Sequence, residues 1–153
     1  MACVPLVHVQ AGDFSLAEEV RRLTGGRRDV GAVVTFTGLC RDEGGRLDAL
    51  ELEHYPGMAE AEIGRIAAEA AGRWPLTGLT VIHRFGRIAP GENIVLVVAA
   101  ASHRRAAFEA ADFLMDFLKS RAPFWKKEHA AGEAGVWVEA TEKDRDDMKR
   151  WQR

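Results

Sequence analysis

The sequence predicts an α+β fold: a mixed, largely antiparallel sheet with about three helices. Three observations carry this. The elements run β-α-β-β-α-β-β-α-β, so strands twice follow strands directly, which a doubly wound parallel fold does not do. A Pro90-Gly91 turn joins two apolar strand segments. Between Ala49 and His54, Leu50 and Leu52 alternate with Glu51 and Glu53, the pattern of a strand with one wet face.

Each element has a local cause. Val4 to Val9 is short and β-branched and reads as a strand. Ser15-Leu-Ala-Glu18 is a capping box; Leu16, Val20 and Leu23 follow at helical spacing, and Gly25-Gly26 stops that helix. Val30 to Thr37 is a second strand, ended by Gly38. Gly38, Gly44 and Gly45, set among charges, predict a mobile loop over 38–47. His54 to Gly57 is a turn. Met58 to Trp74 is helical, with Met58, Ile63, Ile66, Ala67, Ala70 and Trp74 on one stripe, and Pro75 ends it. Leu79–Phe85 and Ile94–Ala101 are strands on either side of the turn at 89–93. Ser102 is the expected N-cap of a long helix over 103–121, with Ala107, Ala111, Leu114 and Leu118 as its stripe and Phe108 and Met115 alongside. Pro123 disfavours helix at Ala122. Gly135 to Thr141 reads as the last strand, followed by a polar C-terminal tail from about 142. No repeat or linker interrupts the chain, so 1–153 is expected to be one domain.

Composition narrows the function classes. Of 153 residues, 47% are hydrophobic and 29% charged, ordinary values for a globular protein. The net charge of -2 gives no global pull toward nucleic acid. The two cysteines, Cys3 and Cys40, make neither a disulfide framework nor a zinc quartet, and each is expected to be a small buried or half-buried hydrophobe. No apolar run approaches a membrane span and the first residues lack the character of a signal peptide, which predicts a cytoplasmic protein. GxGxxG, Walker and GxSxG sequences are absent, so the corresponding nucleotide-binding and serine-hydrolase sites are not indicated.

Chemistry-bearing residues gather at the two ends of the long helix. His103 and Arg104 stand where free N–H groups favour an anion such as phosphate. Lys119 lies in the last turn, and Lys126 follows the Pro123 break and the Phe124-Trp125 pair, both expected to be buried. The break frees the two lysines to converge, and clustered, half-buried ammonium groups lower each other's pKa toward use in nucleophilic or acid–base chemistry. Arg41 lies in the glycine loop, His54 and His83 read as partly buried polar residues, and Phe36 and Met115 as core or pocket wall. Leu39 and Arg41 on either side of Cys40 point to some thiolate character there, with no resolving cysteine.

Seven segments together resemble the MoaE family, the large, catalytic subunits of molybdopterin synthase. They are GAVVTFTG (31–38), LEHYPGM (52–58), RWPL (73–76), VIHRFG (81–86), SHRRAAFEA (102–110), MDFLKSRAPFWKKE (115–128) and WVEA (137–140). Their order and separations make the match specific over roughly residues 30 to 140.

The resemblance implies that family's α/β-hammerhead-like fold and a cytoplasmic sulfurtransferase. Such an enzyme converts cyclic pyranopterin monophosphate (precursor Z) to molybdopterin. The sulfur comes from the C-terminal Gly-Gly thiocarboxylate of a small ubiquitin-like, MoaD-type subunit. A homodimer within a heterotetramer is implied, with no metal or other cofactor held by this subunit and no part for nucleic acid or membrane. Residue by residue, the likeness puts catalysis on Lys119 and Lys126. It puts substrate contacts on Leu39, Cys40, Arg41, His103, Arg104, Lys119, Lys126, Lys127 and Glu128. Leu39 departs from a basic residue usual in the family, and Thr141 from an Arg found in some members. Two other readings stand beside it: a non-catalytic module that docks a ubiquitin-like tail, which needs the groove and the aromatics but not both lysines, and a Schiff-base lysine enzyme acting on a phosphorylated carbonyl compound.

Overall fold

A computed structural model describes residues 2–121, 123–130, 132–138 and 141–152. Two four-stranded sheets and four α-helices make up the described fold. The strands are β1 (Leu6–Gln10), β2 (Ala32–Leu39), β3 (Leu47–His54), β4 (Leu76–Arg84), β5 (Gly86–Ile88), β6 (Asn93–Ala101), β7 (Phe124–Ala130) and β8 (Val136–Val138). The helices are α1 (Leu16–Thr24), α2 (Met58–Arg73), α3 (Arg104–Ser120) and α4 (Glu142–Lys149).

The first sheet has the order β1-β4-β6-β2. β1 runs parallel to β4, while β4 with β6 and β6 with β2 are antiparallel. The second, β5-β3-β7-β8, is antiparallel throughout. The mixed, mainly antiparallel character expected from the Pro90-Gly91 turn is therefore present, with β4 and β6 paired across it.

The main core lies between the first sheet and helices α2 and α3. Ile63, Leu79, Val97, Phe113 and Leu114 are completely or almost completely buried there. Six successive residues of β6, Leu96 to Ala101, are fully buried, as expected of a strand covered on both faces. A smaller core of Cys40, Leu52 and Ile88 belongs to the second sheet. Arg84 is buried at the end of β4, where Nε donates to the Ala11 carbonyl at 3.1 Å and Nη1 to the Asn93 carbonyl at 2.8 Å.

Several local expectations need correction. Helix α3 begins at Arg104 with His103 as its N-cap; the Ser102 hydroxyl instead donates to the Asp29 carbonyl at 3.1 Å. The expected loop at 38–47 is shorter, because β2 runs through Leu39 and a 3-10 turn occupies Glu43–Gly45. Gly44 and Gly45 adopt φ of 83° and 72° there, a conformation that suits glycine. Phe124 to Ala130, to which the sequence pattern assigns no element, is a strand. The last strand covers only Val136–Val138; Glu139 and Ala140 lie outside the described residues, as does Ala122, where the long helix was expected to break.

A fourth helix replaces the expected polar tail. Thr141 caps it, its hydroxyl accepting from the Asp144 amide at 3.1 Å while the Asp144 carboxylate accepts from the Thr141 amide at 3.2 Å. Beyond the helix, Arg150 bonds Asp116 at 2.6 Å and Asp112 at 2.8 Å, and Trp151 meets Trp74 and Phe113 edge-on. These bonds tie the C-terminal segment to α3. Among the described residues, no helix is long and apolar enough to cross a membrane.

Candidate active site

Lys119 and Lys126 line one narrow cavity of about 60 Å³. Lys119 comes from the last turn of α3 and Lys126 from the third position of β7, so the chain reversal around Pro123 brings them together. Phe36 and Leu39 from β2, Met115 from α3 and His83 from β4 supply much of the remaining wall. At Gly38 a Cβ would come within 2.7 Å of Val95 and 3.3 Å of the Phe36 ring, two groups of the same wall. The absence of a side chain there keeps this part of the cavity open.

The electrostatics are unbalanced. The Lys126 pKa is lowered, first by burial and then by the Lys119 charge, with Asp144 partly opposing the shift. His83 is buried and its pKa falls to about 4, chiefly by desolvation, with Lys126, Lys119 and His54 adding to the effect. No carboxylate lines the cavity among the described residues. The cavity can therefore receive an anion. Its volume falls well below the ~300 Å³ at which small-molecule sites usually begin.

The remaining candidate residues lie elsewhere. His103 and Arg104 are exposed at the opposite end of α3. Fifteen helical steps separate Arg104 from Lys119, about 22 Å at ~1.5 Å per residue. The two ends of α3 therefore do not wall one cleft within a single chain. Lys127 and Lys126 are neighbours on a strand, so their side chains leave opposite faces; Lys127 lies 5.2 Å from the centre of the Trp137 ring instead. Glu128 is exposed outside the cavity wall, and so is Arg41.

Cys40 faces the small core with Leu52 and Ile88, and burial raises its thiol pKa. The expected thiolate character is thus reversed, because desolvation, reinforced by the charges of Asp42, Glu92 and Glu128, outweighs the backbone hydrogen bond with Leu50. Of the aromatic pair, Phe124 is half-buried against His83, whereas Trp125 is 47% exposed beside Tyr55. Alternation along β7 is the cause.

The sequence reading missed His83 as part of this site. Its signal was a single histidine at the end of the β-branched run LTVIH of a buried strand. A second, open groove of about 340 Å³ lies between β2 and α3, lined by Val34, Phe36, Phe108 and Met115. Two residues expected to pack inward are exposed, Met58 at 44% and Phe108 at 59%. Among the described residues, no group of three or more His, Cys, Asp or Glu is placed to hold a metal ion.

Known proteins resemble this chain along its length. The MoaE protein family profile matches residues 9–121. A molybdopterin synthase catalytic subunit from Mesorhizobium japonicum is 72% identical over 148 residues, covering 96% of this chain and 93% of that protein. The solved molybdopterin cofactor biosynthesis protein E from Burkholderia multivorans superposes with a TM-score of 0.83 at 43% identity, covering 99% of each chain. A chain in the complex of subunits 1 and 2 of molybdopterin-converting factor from Helicobacter pylori has a TM-score of 0.70 over 92% of each chain, and at 20% identity shares the fold. With its profile match over well more than half its length and a close relative aligned nearly end to end, the chain belongs to the MoaE family.

Proposed function

We propose that this protein is the catalytic subunit of a molybdopterin synthase. In this reading it transfers sulfur to cyclic pyranopterin monophosphate from the C-terminal thiocarboxylate of a small ubiquitin-like subunit. The observation that carries the reading is the convergence of Lys119 and Lys126 on one small, otherwise largely apolar cavity. The solved two-subunit converting factor of H. pylori, which shares this fold, supports a small protein partner.

The chemistry follows from that arrangement. The thiocarboxylate enters between two cations that hold its charge. Its sulfur bonds to an electrophilic carbon of the pterin, and a lysine ammonium delivers a proton to the oxygen that leaves that carbon. Water then cleaves the acyl–sulfur bond. The sulfur stays on the pterin, and the tail departs as a carboxylate, its new oxygen coming from that water. A second tail repeats the transfer and completes the dithiolene. The apolar wall of Phe36, Leu39 and Met115 limits bulk water around the reacting atoms. The pterin is substrate, the subunit carries no metal or cofactor of its own, and the reaction is cytoplasmic.

His103 and Arg104 enter this scheme from a second copy of the chain. Their distance from Lys119 along α3 leaves them no part in the same chain's cavity. In a homodimer, the exposed α3 N-terminus of one copy supplies the phosphate site for the other, and Arg41 is assigned to the same anion.

The test is incubation with precursor Z and a thiocarboxylated small subunit, followed by mass spectrometry of the pterin. Wild-type protein yields molybdopterin. Lys119→Ala, an exposed position on α3, keeps the wild-type melting temperature and loses at least ~100-fold in rate. Near-wild-type turnover by that variant removes Lys119 from the mechanism.

A further inference from the structure

The C-terminal segment is bonded to α3 one turn before Lys119, and the transfer described above gives it no task. Three donors converge there on Asp116 Oδ2: Arg150 Nε at 3.0 Å, Arg150 Nη2 at 2.6 Å and Trp151 Nε1 at 2.5 Å. Arg150 Nη2 also lies 2.8 Å from Asp112 Oδ2. The Trp151 ring meets Trp74 and Phe113 edge-on, and its carbonyl accepts from Arg73 Nη2 at 2.9 Å. Under this cover the Asp116 side chain is only 12% exposed, so its charge depends on protein partners more than on water.

Lys119 stands within reach of the same carboxylate. It lies three residues beyond Asp116 on α3, the spacing at which opposite charges on a helix pair. Helical side chains lean toward the N-terminus, which tilts Lys119 toward Asp116. Asp116 is also the only carboxylate within four residues of Lys119 along the chain. Yet Asp116 is paired with Arg150, and Lys119 lines the cavity with no ion-pair partner among the described residues. Without its three bonds, Asp116 would be a half-covered anion in need of a cation, and Lys119 is the nearest one along α3. That pairing would turn the ammonium away from the cavity and cancel the charge that an anionic tail requires.

We propose that Arg150 and Trp151 are positioning residues for this reaction: they occupy the Asp116 carboxylate and so leave the Lys119 ammonium to face the cavity. The inference rests on the role given to Lys119 in sulfur transfer. Arg150 suits the task because one guanidinium bridges Asp112 and Asp116 together, and the indole N–H adds a donor without adding charge.

Three variants separate this role from simple fastening of the C-terminal segment. Arg150→Ala with Trp151→Phe removes all three donors and keeps a ring against Trp74 and Phe113. Adding Asp116→Asn to that pair removes the competing charge but restores none of the lost bonds. Asp116→Asn alone completes the set. Each protein is assayed for single-turnover product formation from precursor Z and a thiocarboxylated small subunit. Calorimetry gives its affinity for the small subunit with a carboxylate end, and a melting curve its stability. The double variant transfers sulfur about fivefold more slowly and binds the small subunit about fivefold more weakly, and its crystal structure shows Lys119 Nζ bonded to Asp116. The triple variant returns to within about twofold of wild type on both measures, although it melts no higher than the double variant. Asp116→Asn alone also stays within about twofold of wild type.

A triple variant no faster than the double one overturns the proposal, because fastening alone then accounts for the loss. So does a double variant at the wild-type rate, or Asp116→Asn alone as slow as the double variant. If wild-type protein makes no product, the sulfur-transfer reading fails. The crystal structure of the double variant then still decides whether Arg150 and Trp151 keep Asp116 from Lys119.

Discussion

Arg104→Ala and Lys119→Ala, each inactive alone, should restore activity when co-expressed. The magnitude follows from α3. Its 17 residues hold Arg104 and Lys119 about 22 Å apart, so one substrate that needs both must draw them from different copies. Random pairing of the two variants makes half of all dimers mixed. In a mixed dimer one site carries both lesions and the other carries neither. About one quarter of all sites are then intact, and the mixture should show about one quarter of wild-type activity. If each site instead drew both residues from one chain, every site would carry one lesion and no activity would return. The assay uses two differently tagged variants, purified through both tags, with thiocarboxylated partner and mass spectrometry of the pterin. Purification through both tags keeps mixed dimers alone, so the expected activity rises to about half of wild type. A doubly tagged dimer no more active than its parents refutes the shared site, and so does a protein that sediments as a monomer.

Two further predictions concern the buried groups of the cavity. Lys126→Met should raise the melting temperature at pH 7. The folded state lowers the Lys126 pKa below its unfolded value, so its cost is fully present below the folded pKa and disappears as pH rises to the unfolded one; the gain over wild type should shrink in alkaline buffer, and a pH-independent gain would point to packing alone. For His83, whose pKa falls from 6.5 to about 4, the unfolded chain takes up its proton first as pH drops, so wild type should lose up to ~3 kcal/mol relative to His83→Asn between those values. Urea melts at pH 7 and pH 4 measure that difference, and parallel losses in the two proteins would contradict the burial of an unprotonated ring.

The fold class was legible because strands with one wet face and turns built on Gly and Pro leave strong local patterns. β7 was not. Its sequence, FWKKEHA, places Phe124, Lys126 and Glu128 on one face, so two charged residues interrupt the apolar alternation that marks a strand. Lys126 lines the candidate cavity, and the local rule fails where a charged side chain is turned toward it. α4 escaped for another reason. Its sequence is almost wholly polar, and long-range bonds from Arg150 to Asp112 and Asp116 anchor its end. The convergence of Lys119 and Lys126 was readable from the Pro123 break. The exclusion of Lys127 required knowing that 124–130 is a strand, since only then does alternation send neighbours to opposite faces. The separation of Arg104 from Lys119 was available from helix length alone. Cys40 illustrates the converse limit: its charged neighbour was visible in sequence, while the core that raises its pKa comes from β3 and β5.

Placing the tail site and the phosphate site on different copies solves a problem that the chemistry itself creates. Thiocarboxylate and carboxylate carry the same charge and differ by one atom. Two ammonium groups facing a cavity whose described lining holds no carboxylate cannot strongly prefer one over the other. The spent tail is therefore held nearly as well as the fresh one and must be exchanged before the second sulfur can be added. A pterin anchored by the same two lysines would be at risk of leaving during that exchange. In the proposed scheme, with its phosphate held at His103 and Arg104 of the neighbouring copy, the pterin stays while the tails change places.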